Sequence, residues 1–155
     1  MAGNRPDKPE EAVINRRARR QYEFLETLET GIALQGTEVK ALRAGQVSLA
    51  EAFVRVRKDG LWLEQAHFAE YHQGNVHNHE PVRPRRLLVH RKEIAKLEQK
   101  VKEKGLTLVP VRMYFHGRWA KVEIALARGR QLHDKRAQTR ERDAQKEMRR
   151  HLKGG

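Results

Sequence analysis

The chain has 155 residues, room for one domain with flanking tails, and its 38% hydrophobic content supplies one modest core. Its formal net charge of +13, from 33 Lys and Arg against 20 Asp and Glu, is a self-repulsion that a polyanionic partner relieves. With no cysteine, and no apolar run long enough to span a bilayer, disulfides, thiolate metal sites and transmembrane helices are excluded, and a cytoplasmic protein is expected.

Residues 1–12 are polar, with Pro6 and Pro9, and predict a disordered leader. Val13 to Arg20 is a short arginine-dense run entering the domain. Tyr22–Leu28 favours a strand through its aromatic and β-branched residues, and Gly31 permits a turn after it. Gly36–Gly45 predicts a short helix capped by Thr37 and stopped by Gly45, with Val39 and Leu42 inward and Lys40 and Arg43 outward. Phe53–Arg57 alternates, Lys58-Asp59-Gly60 signals a hairpin, and Leu61–Glu64 returns. His67–Pro84 reads as loop, and Arg86–Val89 as a short strand or the approach to a helix. Arg91–Lys104 is the clearest helix: Ile94, Leu97 and Val101 lie three and four apart, and Gly105 ends it.

The rest is organised around Leu106 to Arg136. Val109, Val111, Met113 and Phe115 occupy every second position, as a strand with one buried face requires. His116-Gly117-Arg118 makes a tight reversal. Ala120, Val122, Ile124 and Leu126 are the inward side of a second strand, with Lys121 and Glu123 on the other. The chain then runs without a break into Gly129-Arg130-Gln131-Leu132-His133-Asp134-Lys135-Arg136. Short strands with few small helices predict a mainly β domain over residues 13–128, a closed antiparallel barrel of the oligonucleotide-binding (OB) type, followed by a basic tail over 129–155. Residues 128–155 hold ten basic against four acidic side chains, so +6 of the excess charge sits there. Only Ala144, Met148 and Leu152 fall at helical spacing, so the tail is expected to be disordered alone and helical once docked on a polyanion. Charge of this density and sign points to RNA, bound through counterion release.

Catalytic chemistry finds little support. His72, His77 and His79 share a loop, but no second cluster frames them for zinc, and no metal or cofactor is expected. Nucleotide-binding P-loop, Rossmann and nucleophile-elbow patterns are absent. A small ribonuclease using His116 and His133 as acid and base is an alternative, although His133 suits stacking on a base better. A general OB-type ribosomal or initiation-factor-like protein is another. Glu29 and Glu38 are lone carboxylates, either surface charge or acceptors for base amino groups on an RNA-binding face.

Four stretches carry a resemblance: Asn15-Arg16-Arg17-Ala18-Arg19; Gly31 through Gly45, reading GIALQGTEVKALRAG; Lys121 through Gly129, reading KVEIALARG; and His133-Asp134-Lys135-Arg136. In this order and spacing they are highly specific, and from about Ile14 to Arg149 the chain resembles the small protein B (SmpB) family, partners of transfer-messenger RNA in bacterial ribosome rescue. The resemblance implies an OB-type barrel that binds the tRNA-like domain of that RNA in place of an anticodon arm. It also implies a tail that becomes helical in the decoding centre and empty messenger channel of a stalled 70S ribosome, and no catalysis by the chain. Carried over by position, the RNA-facing residues are Asn15, Arg17, Arg19, Glu29, Lys40, Arg43, Leu88, His90 and Lys121. The ribosome-facing residues are Gly129, Arg130, His133, Asp134, Lys135, Arg136, Arg140, Arg142, Lys146, Arg149 and Arg150, with His133 stacking on a base and the basic residues following phosphate. Alanyl-tRNA synthetase and EF-Tu are implied as indirect partners through the RNA; a monomer with no membrane partner is expected. Gly129-Arg130-Gln131 departs from the family's usual Gly followed by two Lys, His90 stands where some relatives have Asn, and Ala41 replaces a common Ser.

Overall fold

The computed structural model describes residues 10–70 and 77–130, which form a mainly β fold with three helices. The chain enters through β1 (Glu10–Ile14), turns at Asn15 into α1 (Arg16–Gln21) and continues directly into the long strand β2 (Tyr22–Ile32). Helix α2 (Gly36–Arg43) and β3 (Val47–Ser48) lead to the hairpin of β4 (Phe53–Arg57) and β5 (Gly60–Glu64). Then come β6 (His67–Phe68), β7 (Arg85–Leu88), α3 (Arg91–Lys104), β8 (Thr107–His116) and β9 (Trp119–Gly129). All pairings are antiparallel: hydrogen bonding runs β8–β4–β5–β7–β2–β9 and returns to β8, β1 adds to β8, and β3 pairs with β6 separately.

One side of this sheet encloses the main core. Leu42, Leu61, Leu63, Phe68, Leu87, Leu108, Met113, Val122 and Ile124 are all but inaccessible there. Burying each such side chain contributes about 1.5–3 kcal/mol, against about 0–1 for an exposed ion pair, so this interior dominates stability. The opposite side carries a smaller cluster of Ala18, Val109, Val111, Ala125 and Ala127, where α1 packs against β8 and β9.

The structure corrects several sequence expectations. Residues 10–12, expected to belong to a disordered leader, are part of β1, which begins at Glu10 and pairs with β8. Gly31 is no turn; it lies inside β2, opposite both Leu88 and Lys121. Thr37 does not cap α2. Gln35 occupies that position and its backbone N–H donates to Glu38 at 2.7 Å, while Gly45 takes the left-handed conformation (φ +70°) just past the helix. The alternation of Val109, Val111, Met113 and Phe115 does not define one face. A bulge between Pro110 and Arg112 shifts the phase, leaving Val109 and Val111 under α1 while Met113 and Phe115 enter the main core. Pro110, which has no N–H to contribute to a ladder, sits at this irregularity.

Candidate nucleic-acid interface

Directly opposed residues on neighbouring strands project to the same side of a sheet, so register assigns faces. One row on the side away from the main core is Leu88, Gly31, Lys121 and Tyr114, crossing β7, β2, β9 and β8. The next row on that side is Glu29, Glu123 and Arg112. Three of the predicted RNA contacts, Glu29, Leu88 and Lys121, are thus brought together from distant parts of the chain. Gly31 makes room: a Cβ there would lie 3.2 Å from that of Leu88, whose side chain lies over the glycine and remains 54% exposed. His90 follows two residues after Leu88, exposed at the N-terminus of α3, with no side-chain capping bond.

The polar groups on this face are orientated. The buried Tyr114 hydroxyl donates to the Glu29 carboxylate. Burial, then the hydrogen bond and negative charge of Glu29, push the Tyr114 hydroxyl well above its ordinary value, so it stays a donor. Arg112 donates to Glu123 from Nε at 3.3 Å and Nη2 at 3.2 Å, and its guanidinium lies 4.6 Å from the Tyr114 ring centroid. The result is an exposed carboxylate held in place beside a partly exposed ammonium and an exposed apolar side chain, groups whose chemistry is to accept from base amino groups, to meet phosphate and to pack on a base or ribose.

Asn15 is placed differently from the expectation. It is only 4% exposed, and its amide is used within the fold. Nδ2 donates to the carbonyls of Leu49 (3.1 Å) and Pro110 (2.9 Å), and Oδ1 accepts the Ala18 N–H to cap α1. Its backbone N–H donates to the carbonyl of Val111 at 2.9 Å, so Asn15 fastens the β1–α1 junction to the bulge. The arginines after it are exposed on α1; Arg17 pairs with Glu51, and Arg19 lies in the last turn. Lys40 and Arg43 are exposed on α2, with the Arg43 guanidinium 4.3 Å from the Phe115 ring centroid.

Gly129 closes β9 opposite Tyr22, and the Arg130 N–H donates to the Gln21 carbonyl at 3.0 Å, so the chain leaves the fold beside the end of α1. Along β9, exposed or part-exposed Trp119, Lys121 and Glu123 precede Ala125 and Ala127 under α1. Lys121 and Gly129 are eight residues apart on one strand, a span of about 26 Å. Gln131, His133, Asp134, Lys135, Arg136, Arg140, Arg142, Lys146, Arg149 and Arg150 lie outside the described residues, as do His72 and residues 1–9. His116, the other half of the ribonuclease pair, is partly exposed next to the β8–β9 reversal.

Sequence reasoning missed a buried polar network behind this face. Glu38 is not surface charge: both its side chain and that of Arg85 are fully buried and paired, and Arg83 adds bonds at 3.0 and 2.6 Å. Burial pushes the Glu38 carboxyl up, but hydrogen bonds from Arg83, the Gln35 backbone and Arg85 outweigh it and hold it below its ordinary value. His79 is likewise no solvated loop residue. It is buried, with Nε2 2.8 Å from the Phe68 carbonyl and Nδ1 2.8 Å from the Thr37 hydroxyl. A carbonyl only accepts, so Nε2 carries the proton. The available signal was the period of β7, which puts Arg85 on the same inward face as Leu87. Among the described residues no group of three His, Cys, Asp or Glu is placed to hold a metal, and no helix is long and apolar enough to cross a membrane.

The chain is similar to proteins of one kind. A family model described as SmpB protein matches residues 12–154. An SsrA-binding protein of Desulforudis audaxviator is 51% identical over 148 residues, 95% of this chain and 97% of that one. An SsrA-binding protein of Mycolicibacterium vanbaalenii is 54% identical over 140 residues, 90% of this chain and 85% of that one. A solved chain described under "tmRNA-SmpB: a journey to the center of the bacterial ribosome" is 50% identical with a TM-score of 0.66, covering 78% of this chain and 86% of that chain.

Proposed function

Because the chain belongs to the SmpB family, whose model spans residues 12–154, we propose that it is the RNA-binding adaptor of trans-translation. It binds the tRNA-like domain of transfer-messenger RNA and delivers it to ribosomes stalled on a message. The cyclic path of strand pairing supports an OB-type barrel as the RNA-binding body. The observation that carries the reading is the layout of β9: Lys121, with Glu29 and Leu88, marks one end of the strand, and the basic tail departs from the other.

Each end has its own physics. On the barrel, Lys121 neutralises a phosphate, Glu29 accepts from a base and Leu88 adds apolar contact, so a folded RNA is recognised by shape with a few directed bonds. His90, Lys40, Arg43, Arg17 and Arg19 supply further phosphate contacts at the margins. The tail enters the decoding centre and the empty messenger channel, stacking His133 on a base and ordering as a helix along phosphate. The body thereby stands in for an anticodon arm. The chain moves no bond itself. Alanyl-tRNA synthetase and EF-Tu act on the RNA it carries, in the cytoplasm, with the chain as a monomer.

Truncation after Arg130 tests the division. The shortened chain binds a tRNA-like-domain transcript within about threefold of the full chain, a change of less than 1 kcal/mol. It fails to support rescue of stalled ribosomes in a reconstituted translation reaction. Ribosome binding by the full chain also falls more steeply with salt, by up to about six units of log–log slope if all eight basic residues beyond Arg130 meet phosphate. Loss of transcript binding on truncation would overturn the two-part reading.

A further inference from the structure

Beyond Lys121 and Tyr114, the outer face of the sheet runs on to the end of the β8–β9 hairpin. Alternation along β9 puts Trp119 on the side of Lys121 and Glu123, and alternation along β8 puts His116 on the side of Tyr114 and Arg112. The two are directly opposed in register. Gly117 closes the reversal in the left-handed region (φ +62°), which ties the tip rigidly to the strands. Trp119 is 63% exposed, more than any other exposed large apolar side chain among the described residues. The guanidinium of Arg118 lies 5.2 Å from the centroid of its ring. The core is complete without this indole, since Val122, Ile124 and Leu126 fill the inward side of β9. Arg43, over the Phe115 ring, lies on the inward side of β8, so the cation beside the indole on the outer face is Arg118.

An exposed tryptophan on a rigid cationic tip, continuous with a nucleic-acid-binding face, has the form of a base-stacking platform: flat, apolar and tolerant of base identity. We propose that Trp119 stacks against one unpaired nucleobase of the RNA held on the Glu29, Leu88 and Lys121 face, with Arg118 backing the ring. The inference rests on the adaptor reading above. Base faces are hidden inside an A-form stem, so the stacked base comes from a loop or bulge.

The chain has two tryptophans, so Trp62→Phe leaves Trp119 as the sole indole reporter. In the full chain carrying W62F, titration with a tRNA-like-domain transcript quenches the emission in step with one-to-one binding. Trp119→Leu weakens transcript binding by about tenfold and Trp119→Phe by no more than about threefold, since phenylalanine keeps a stacking face. Neither changes the salt slope, because stacking releases no counterions, whereas Lys121→Ala flattens it by about one unit. The exposed position leaves the thermal midpoint of W119L unchanged. Transcript binding by W119L as tight as wild type overturns the stacking site, and with Lys121→Ala weakened the adaptor reading stands. Loss of rescue by W119L at full transcript affinity overturns it too, and moves the tip to a ribosomal contact. A weakened W119L with a flattened salt slope overturns it in favour of a charge effect. Failure of the wild-type chain to bind the transcript overturns the adaptor reading itself.

Discussion

Replacing Glu38 by Gln tests how the interior behind the proposed RNA-binding face is held. The wild-type carboxylate accepts from two nitrogens of Arg83, from Nε of Arg85 and from the Gln35 backbone. Glutamine keeps the volume but removes the charge, and it turns one acceptor oxygen into a donor facing a guanidinium. Arg85 retains the carbonyls of Ala66, Arg83, Glu80 and Pro81 at 2.9–3.2 Å, so it loses charge compensation more than hydrogen bonding. Removing one member of a buried pair costs about 3–5 kcal/mol. Those four carbonyls put E38Q at the lower end, about 3 kcal/mol, which corresponds to a fall in thermal midpoint of about 10 °C. Urea unfolding followed by tryptophan fluorescence and circular dichroism gives the free energy and its slope. The folded carboxyl lies below its ordinary value of 4.5, so its stabilisation is fully present above that pH and is lost as pH falls through the lower folded value. The gap between wild type and E38Q is therefore widest near neutrality and narrows in acid. A neutral-pH gap under about 1 kcal/mol, or one that widens on acidification, would refute the reasoning.

Asn15→Ala removes a helix cap, takes the side-chain donor from the Pro110 carbonyl and one of two donors from the Leu49 carbonyl, which keeps the Ala52 N–H, so it destabilises the chain by about 2–3 kcal/mol in urea titrations. Transcript affinity, measured well below the thermal midpoint, changes less than about twofold, under 0.5 kcal/mol; a large affinity loss in a fully stable variant would return Asn15 to the RNA surface. Gly31→Val pushes a branched side chain into the space under Leu88, which is exposed and free to swing outward. The variant loses only about 1 kcal/mol of stability, while transcript binding weakens severalfold; unchanged binding would show that Leu88 is not a contact.

Where pattern and fold agree, the agreement is local. The β4–β5 hairpin, the Gly117 reversal and α3 with its left-handed Gly105 (φ +61°) stand where side-chain period and turn chemistry put them. The grouping of Glu29, Leu88 and Lys121 rested on family resemblance alone, because nothing in their spacing of 59 and 33 residues links them. Asn15, set among the RNA-facing residues by the same resemblance, is buried: its side-chain amide donates to the Pro110 carbonyl and its backbone N–H to that of Val111, at the bulge in β8.

From residue order alone came α2, α3, the β4–β5 and β8–β9 hairpins and the first part of β2, but not β1, α1, β3 or β6, together with the concentration of positive charge after β9 and the family to which the chain belongs, because each depends on neighbours or on a linear motif. Whether a charge is buried, which side of the sheet a valine faces after a bulge, and which distant side chains share a surface were settled only by tertiary structure. Those outcomes depend on partners brought close by folding. Glu38 is a buried carboxylate because Arg83 and Arg85, more than forty residues away, close over it.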